Sequence, residues 1–400
     1  MIQNIMPGPG SYLIGKEEIK EAMDVLESGH LFRYGDLNDP AFKHKVYTLE
    51  KEFAEYCGVN HVLATSSGTS ALMLPLMAIG AESGDEVIVP AYTFVSSYTA
   101  IIFAGFIPVL ADIDDSLTID PDDIRNKITD KTVAIMPVHM LGNSCNMVEI
   151  MKIAEEHGLY VIEDCCQAAG GSYKGKKLGS IGHAGGFSLN IFKVITAGDG
   201  GLITIDDPNL YELVFGLHDQ GHTPDRAGVQ VGDRSILGLN FRVNELTGAI
   251  ALAQFRKMDL IISRLREIKS TFKQRINNAD SFQFRKLNDE EGDVGTLCTV
   301  IFDSQEKADK VCKALGTDTV DHSGWHVYAN MEHLINYFEE IGRPIELGSF
   351  QKTDDILSRA VNISVGVVDA GLGAGWGMNI HSDDKEIDEK AEEFIKACKL

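Results

Sequence analysis

Phe187-Ser188-Leu189-Asn190-Ile191-Phe192-Lys193-Val194-Ile195-Thr196-Ala197-Gly198-Asp199-Gly200-Gly201 is the stretch on which the fold turns. A short apolar strand runs into a lysine, no charge follows until Asp199, and three glycines carry the chain into a second strand at 202–205. An amine in such poorly solvated surroundings is expected to have a lowered pKa, which leaves it nucleophilic. Amines of that kind form Schiff bases with carbonyl compounds. A lysine after a strand is ordinarily a solvated surface residue, so the role of Lys193 depends on the rest of the chain.

Upstream of this stretch, short apolar segments at 61–65, 86–89, 108–111, 133–138 and 160–163 read as strands. Segments 70–78, 97–105 and 147–157 between them have helical spacing. Strands at 186–189 and 202–205 complete the set. The alternation predicts an α/β domain with a mixed, mostly parallel, buried sheet, whose ligands gather at the carboxyl ends of strands. Residues 16–28 read as a helix with Ile19, Ala22, Met23 and Leu26 on one face, and 46–56 as another. Pro7-Gly8-Pro9-Gly10 predicts an extended lead-in over 1–15. Residues 219–237 are polar and glycine-rich, a long loop; 244–252 and 261–275 read as helices. After the second of these the pattern changes to strands at 299–302 and 361–367 with helices at 307–315 and 385–398. The division expected is a lead-in at 1–15, a large domain at 16–258 and a smaller α+β domain at 259–400.

The 400 residues carry 59 acidic and 36 basic side chains, a formal charge of −23, which disfavours nucleic acid and anionic membrane as partners. Seven scattered cysteines without a CxxC read as reduced thiols of a cytoplasmic protein, and the N-terminus has no signal-peptide pattern. Residues 87–111 are uncharged over a membrane-spanning length. Their Pro90, Gly105, Pro108 and hydroxyl residues parse better as strand, loop, helix and strand.

Several residues carry chemistry. Glu163 and Asp164 end a strand on opposite faces, so one of them meets the ligand side. Asp164, set among apolar and uncharged residues, is expected to be buried with a partner, and Glu163 to be solvated. Ser66-Ser67-Gly68-Thr69-Ser70 joins a strand to a helix, where hydroxyls and free N–H groups suit a phosphate or serve as an ordinary cap. Ser188 adds a hydroxyl near Lys193, and Phe94 suits a planar ring or the core. His218 with His222 and His322 with His326 have i, i+4 spacing, but Gly221, Pro224 and Ser323-Gly324 interrupt them and no ligand set accompanies them. No metal site is expected.

Taken together, Ser67-Gly68-Thr69, Val138-His139-Met140-Leu141-Gly142, Glu163-Asp164-x-x-Gln167-Ala168, Phe187-Ser188 ahead of Lys193, and Asn240-Phe241-Arg242-Val243-Asn244-Glu245 resemble, in order, the motifs of the DegT/DnrJ/EryC1/StrS sugar aminotransferases. The resemblance covers nearly the whole chain. It implies a fold-type-I transferase dependent on pyridoxal 5'-phosphate (PLP), and a homodimer with shared active sites. By position, Lys193 would hold the cofactor aldehyde and later move a proton. Asp164 would meet the pyridine nitrogen and Gln167 the ring hydroxyl. Ser67, Gly68, Thr69 and Ser188 would take the phosphate, with Asn240 reaching it from the other subunit, and Phe94 would stack on the ring. Asp199 departs from the usual Glu, with little consequence expected in a turn. A branch of the family that dehydrates its sugar has histidine in place of the lysine, so Lys193 favours transamination.

The substrate implied is a keto sugar, with glutamate or glutamine as amino donor. Gly8 to Gly15, Leu31-Phe32-Arg33-Tyr34-Gly35 and Trp325-His326-Val327-Tyr328 resemble the branch that includes 8-amino-3,8-dideoxyoctulosonate transaminases. Arg33 would then meet a substrate carboxylate, or else be a surface or dimer-contact residue. Phe32, His222 and His326 are further candidates for substrate contact. A nucleotide-linked 4-keto sugar or a keto-cyclitol remains open as acceptor. A non-catalytic PLP-binding regulator is the rival of another class, against which the intact Lys193, Asp164 and Gln167 speak. A dinucleotide-dependent dehydrogenase would need a G-x-G-x-x-G after an early strand, and none occurs.

Overall fold

The computed structural model describes residues 7–224, 236–277 and 279–400. Seven strands form its main sheet: β1 (His61–Thr65), β2 (Glu86–Pro90), β3 (Ile107–Ala111), β4 (Thr132–Ile135), β5 (Tyr160–Asp164), β6 (Ala184–Ser188) and β7 (Gly201–Ile205). Their spatial order is β1-β7-β6-β5-β4-β2-β3. β6, β5, β4, β2 and β3 run parallel, whereas β7 is antiparallel to both β6 and β1. In the β1–β7 pair Thr65 lies opposite Gly201.

The apolar runs are explained by cover on both faces. Successive residues of a strand enter different cores: Val62 and Ala64 of β1 join one cluster and Leu63 the other, and Val161 and Ile162 of β5 part in the same way. Helices Lys45–Cys57 and Met147–His157 cover the first face. Helices Gly68–Ile79, Val95–Phe103 and Pro208–His218 cover the second. Residues 87–111 form strand, helix and strand, and no helix among the described residues is long and apolar enough to cross a membrane.

A second sheet, β8 (Phe282–Phe284), β9 (Leu297–Phe302) and β10 (Ala360–Ser364), is antiparallel in the order β8-β9-β10. Helices Met258–Ile276 and Asp384–Cys398 pack against it through Phe272 and Phe394.

Three expectations are corrected. The lead-in is not extended throughout: Pro9–Tyr12 is a helical turn, started by a proline at its first position, where the missing N–H costs nothing. The apolar row Ile19, Met23 and Leu26 of helix Lys16–Ser28 is exposed, while Glu18 and Val25 are buried. Helices Pro121–Lys127, Pro208–His218, Glu332–Glu340 and Gln351–Arg359 were not read from the sequence. Two of these begin with proline behind an Asp cap, Asp120 and Asp207, a start signal present in the sequence. Of the loop read at 219–237, residues 225–235 lie outside the described residues.

Candidate active site

A cavity of about 440 Å³ opens at the carboxyl ends of β5 and β6. Its wall includes Ser67, Gly68, Thr69, Phe94, Asp164 and Gln167, with Ser188 and Lys193 beside them. The smaller sheet and its loops add Thr296, Leu297, Trp325, His326, Val367 and Asp369. Topology alone thus brings together groups spread over some three hundred positions of chain.

β5 ends on Asp164, and the pleat sends its two acids to opposite faces. One Asp164 oxygen accepts from the Ser97 hydroxyl at 2.7 Å and the other from the Cys166 N–H at 3.0 Å. The residue is 4% exposed, and each carboxylate oxygen keeps a lone pair for a ligand. Glu163, expected to be solvated, is fully buried. It accepts from the N–H groups of Gly179 (2.9 Å), Ile181 (2.8 Å) and Gly182 (2.7 Å) and from His139 Nε2 (3.0 Å). Burial would raise its pKa, but the histidine and the amides outweigh that and hold it below the usual carboxylate range. His139 Nδ1 accepts the Cys145 N–H, so the ring proton sits on Nε2 and points at Glu163. Cys165 lies close to both, but with the imidazole proton facing the carboxylate the group is a hydrogen-bonded pair and not a vacant metal site.

The phosphate-suited end is a helix start. Ser67 caps helix Gly68–Ile79, its hydroxyl accepting from Ser70 N–H at 3.1 Å. A Cβ on Gly68 would stand 2.7 Å from Ser188 Cβ and 3.0 Å from Cys166 Sγ. Glycine is the residue that lets this backbone approach the wall, and Gly68 and Thr69, at a helix start whose first N–H groups lack intrahelical partners, line the cavity. Thr69 Oγ1 donates to Ser96 Oγ at 2.9 Å.

Lys193 is half-buried, has no ion-pair partner among the described residues, and its Nζ lies 6.0 Å from the centre of the Phe94 ring. Its loop is gripped from two sides. Thr196 Oγ1 donates to the Leu189 carbonyl at 3.0 Å, and Asn190 Nδ2 donates to Asp199 at 2.9 Å. On the other side the Gly10 N–H donates to the Lys193 carbonyl at 3.3 Å. Cβ atoms on Gly8 and Gly10 would stand 2.4 Å from the Phe192 carbonyl carbon and 2.9 Å from the Val194 carbonyl oxygen.

Phe94, 38% exposed, is held beside the aromatic pair Trp325 and His326, because the N–H groups of Thr93 and Val95 donate to the carbonyls of His326 (2.9 Å) and Trp325 (3.0 Å). Burial, helped by the Lys193 charge, pushes the His326 imidazole down to about 3, so it is neutral at pH 7. Gln167 Oε1 accepts from the Leu141 N–H at 3.1 Å. Among the cavity residues, Ser97, Thr296 and Asp369 were not singled out from sequence. Ser97 had a signal, a hydroxyl in an uncharged run, and the other two had none.

Four predicted residues lie outside this cavity. Asn240 is exposed, pairs with Asp219 and caps its own turn by accepting from Arg242 N–H at 3.2 Å. His222 donates its N–H to the Asp219 carbonyl. Phe32 and Arg33 line a separate groove. Arg33 is buried, its Nη2 donating to both Glu50 oxygens (2.8 and 3.0 Å) and its Nη1 to the Ala64 carbonyl (3.2 Å). The guanidinium expected at a substrate carboxylate or on the surface is therefore an internal clamp.

A planar pyridine ring with a phosphate arm fits these residues. The glycine-backed helix start suits the phosphate, Asp164 offers a buried carboxylate, Lys193 is an amine with no ion-pair partner among the described residues, and Phe94 presents a ring face.

The sequence profile described as the DegT/DnrJ/EryC1/StrS aminotransferase family matches residues 13–368. The GDP-perosamine synthase of Caulobacter vibrioides is 39% identical over 232 residues, 58% of this chain and 62% of that protein. The dTDP-3-amino-3,6-dideoxy-alpha-D-galactopyranose transaminase of Aneurinibacillus thermoaerophilus is 39% identical over 266 residues, 66% of this chain and 69% of that protein. The match thus spans less than two thirds of the perosamine synthase. Among solved structures, 3-amino-5-hydroxybenzoic acid synthase superposes with a TM-score of 0.79 at 25% identity, covering 98% of this chain and 99% of that one. Helicobacter pylori PseC gives 0.81 at 20% identity, with 99% of each chain covered, which speaks to the fold alone. On the profile match and the shared architecture, this chain belongs to the DegT/DnrJ/EryC1/StrS aminotransferase family.

Proposed function

We propose that the chain is a PLP-dependent aminotransferase that moves an amino group from an amino-acid donor to the keto group of a sugar. The observation that carries this reading is the meeting, in one cavity, of Lys193, the Asp164 carboxylate and the bare helix start at Gly68. PLP supplies an electron-withdrawing ring that makes the donor's α-proton labile. The chain's residues do the rest. Lys193 Nζ anchors the cofactor, and once displaced by the donor amine it is the base that carries the proton. Asp164, oriented by Ser97 and the Cys166 amide, keeps a proton on the pyridine nitrogen. The N–H groups of Gly68 and Thr69, with the hydroxyls of Ser67, Thr69 and Ser188, hold the phosphate. Gln167 serves the ring hydroxyl and Phe94 the ring face. Neutral His326, beside Trp325, faces the sugar.

We take the acceptor to be a nucleotide-linked keto sugar rather than an octulosonate-type keto acid. Support comes from the names of the relatives and from Arg33, whose charge is already taken by Glu50. Glutamate or glutamine is the donor. The working unit we infer is a homodimer with shared sites, supported by the uncovered Ile19, Met23 and Leu26 and by Asn240, which lies beyond its own cavity and would serve a neighbour's phosphate.

The test is spectroscopic. PLP-loaded protein absorbs in the visible, glutamate bleaches that band, and a GDP- or dTDP-linked 4-keto sugar restores it. Lys193→Ala abolishes the cycle. Wild-type protein that takes up no PLP, or a Lys193→Ala variant that still turns over, overturns the reading.

A further inference from the structure

Leu141 is one of six non-glycine residues with positive φ among the described residues, at φ 55° and ψ 36°, and among the six it is the one that lines the cavity. A γ-branched side chain does not settle there unaided, so something must hold it. Arg285 does. This arginine is wholly buried, and its two terminal nitrogens donate to successive carbonyls, Met140 at 3.1 Å and Leu141 at 2.8 Å. Thr296 Oγ1 donates to the same Leu141 carbonyl at 3.2 Å, and the Val294 N–H reaches the Gly142 carbonyl at 3.0 Å. The segment around 285–296 thus bolts down the turn at 140–142. The result of that grip is that the Leu141 N–H points at Gln167 and donates to Oε1.

That single bond decides which way the Gln167 amide faces. With Oε1 occupied by an N–H, the NH₂ group is the end left for the cavity. A primary amide is ambivalent, so without the Leu141 donor it presents either an acceptor or a donor to whatever sits in the site. A ring hydroxyl that ionises needs the donor.

We propose that Arg285, acting through the left-handed Leu141, is a positioning residue that fixes Gln167 with its NH₂ toward the ring oxygen of PLP. This rests on the reading of the cavity as a PLP site. Arg285 touches neither cofactor nor substrate. The guanidinium meets two adjacent carbonyls at once, a geometry no apolar residue supplies. Asp293 Oδ2 is held by Lys269 at 2.6 Å, whereas its buried Oδ1 has no hydrogen-bond partner among the described residues and lies 3.9 Å from Arg285, so Arg285→Lys is the variant that keeps a positive charge beside it.

The variants are Arg285→Met, Arg285→Lys, Gln167→Ala and the pair Arg285→Met/Gln167→Ala, each loaded with PLP. The readout is the pH midpoint of the visible band, with PLP affinity from fluorescence titration. A donor on the ring oxygen drains the negative charge that stabilises the protonated chromophore, so losing it raises the midpoint. Gln167→Ala is expected to raise it by about one pH unit. Arg285→Met should give most of the same rise, Arg285→Lys a lesser one, and the pair no more than Gln167→Ala alone. Leu141→Gly, which keeps the N–H and removes the steric cost, should restore the midpoint in the Arg285→Met background. An Arg285→Met midpoint equal to wild type, or a rise of equal size with and without Gln167, overturns the proposal. Should Arg285→Met not fold, Arg285→Lys carries the comparison by itself. A wild-type protein without a Lys193-dependent band would instead overturn the functional reading, so the two failures are distinct.

Discussion

Glu163 and Asp164 are neighbours in sequence and opposite in task. Asp164 keeps lone pairs toward the cavity, whereas Glu163 has both oxygens engaged inside the protein. Glu163 alone read as solvated, because the donors that bury it are backbone amides of a turn at 179–182, which no side-chain pattern announces. Lys193 stood out because no charge lies near it in sequence, and Asp164 because apolar Val161 and Ile162 and the uncharged run from Cys165 to Ala169 surround the acid pair. Glu163→Gln leaves a neutral amide against three N–H donors and is expected to cost about 2–4 kcal/mol in chemical denaturation, with PLP uptake weakened through β5. Two histidines set a pH dependence. Burial, with Arg33 nearby for His218 and Lys193 for His326, pushes each down to about 3. Above their unfolded pKa of about 6.5 the native state is unpenalised, and as pH falls from there toward 3 the unfolded chain takes up protons that the folded one refuses. Stability is therefore expected to drop between pH 7.5 and 5.5, by on the order of 1 kcal/mol for each histidine, and His218→Gln should flatten the profile of denaturation midpoints.

The elements around the cavity are positioned by backbone contacts at glycines. Gly68→Ala drives a methyl into Ser188 and Cys166 at the point where the helix start faces the site. Inorganic phosphate and PLP affinity, measured by titration, should fall at least about tenfold while the secondary-structure content stays the same. Gly10→Ala meets the Val194 carbonyl and Gln254 instead. That substitution should cost about 1–3 kcal/mol and speed hydrogen exchange across the Lys193 loop. The strand–helix alternation was readable because each period is local. The clamp of 285–296 on the turn at 140–142 was not, since Arg285, Thr296 and Asp369 reach the site only through the packing of the smaller sheet, and each looks ordinary in its own stretch.

At the scale of the whole molecule, an acidic protein with a formal charge of −23 carries an uncovered apolar row on helix Lys16–Ser28. The row was evident in the sequence as a helix face, and none of the described residues covers it. A second copy is the expected cover. Sedimentation should show a dimer at micromolar concentration, and Met23→Lys with Leu26→Lys should shift it toward monomer and weaken PLP binding together. A wild-type monomer with full PLP affinity would refute the shared-site dimer.

The seam between β1 and β7 has a consequence for biosynthesis. A Cβ on Gly201 would stand 2.3 Å from the Ser67 carbonyl, so these two backbones touch although most of the main sheet separates them along the chain. A nascent polypeptide emerging from the ribosome has the helix start long before it has the lysine or the strand that braces it. Free vitamin cannot template the early half, and half-made chains stay colourless and ligand-free until β7 has been translated.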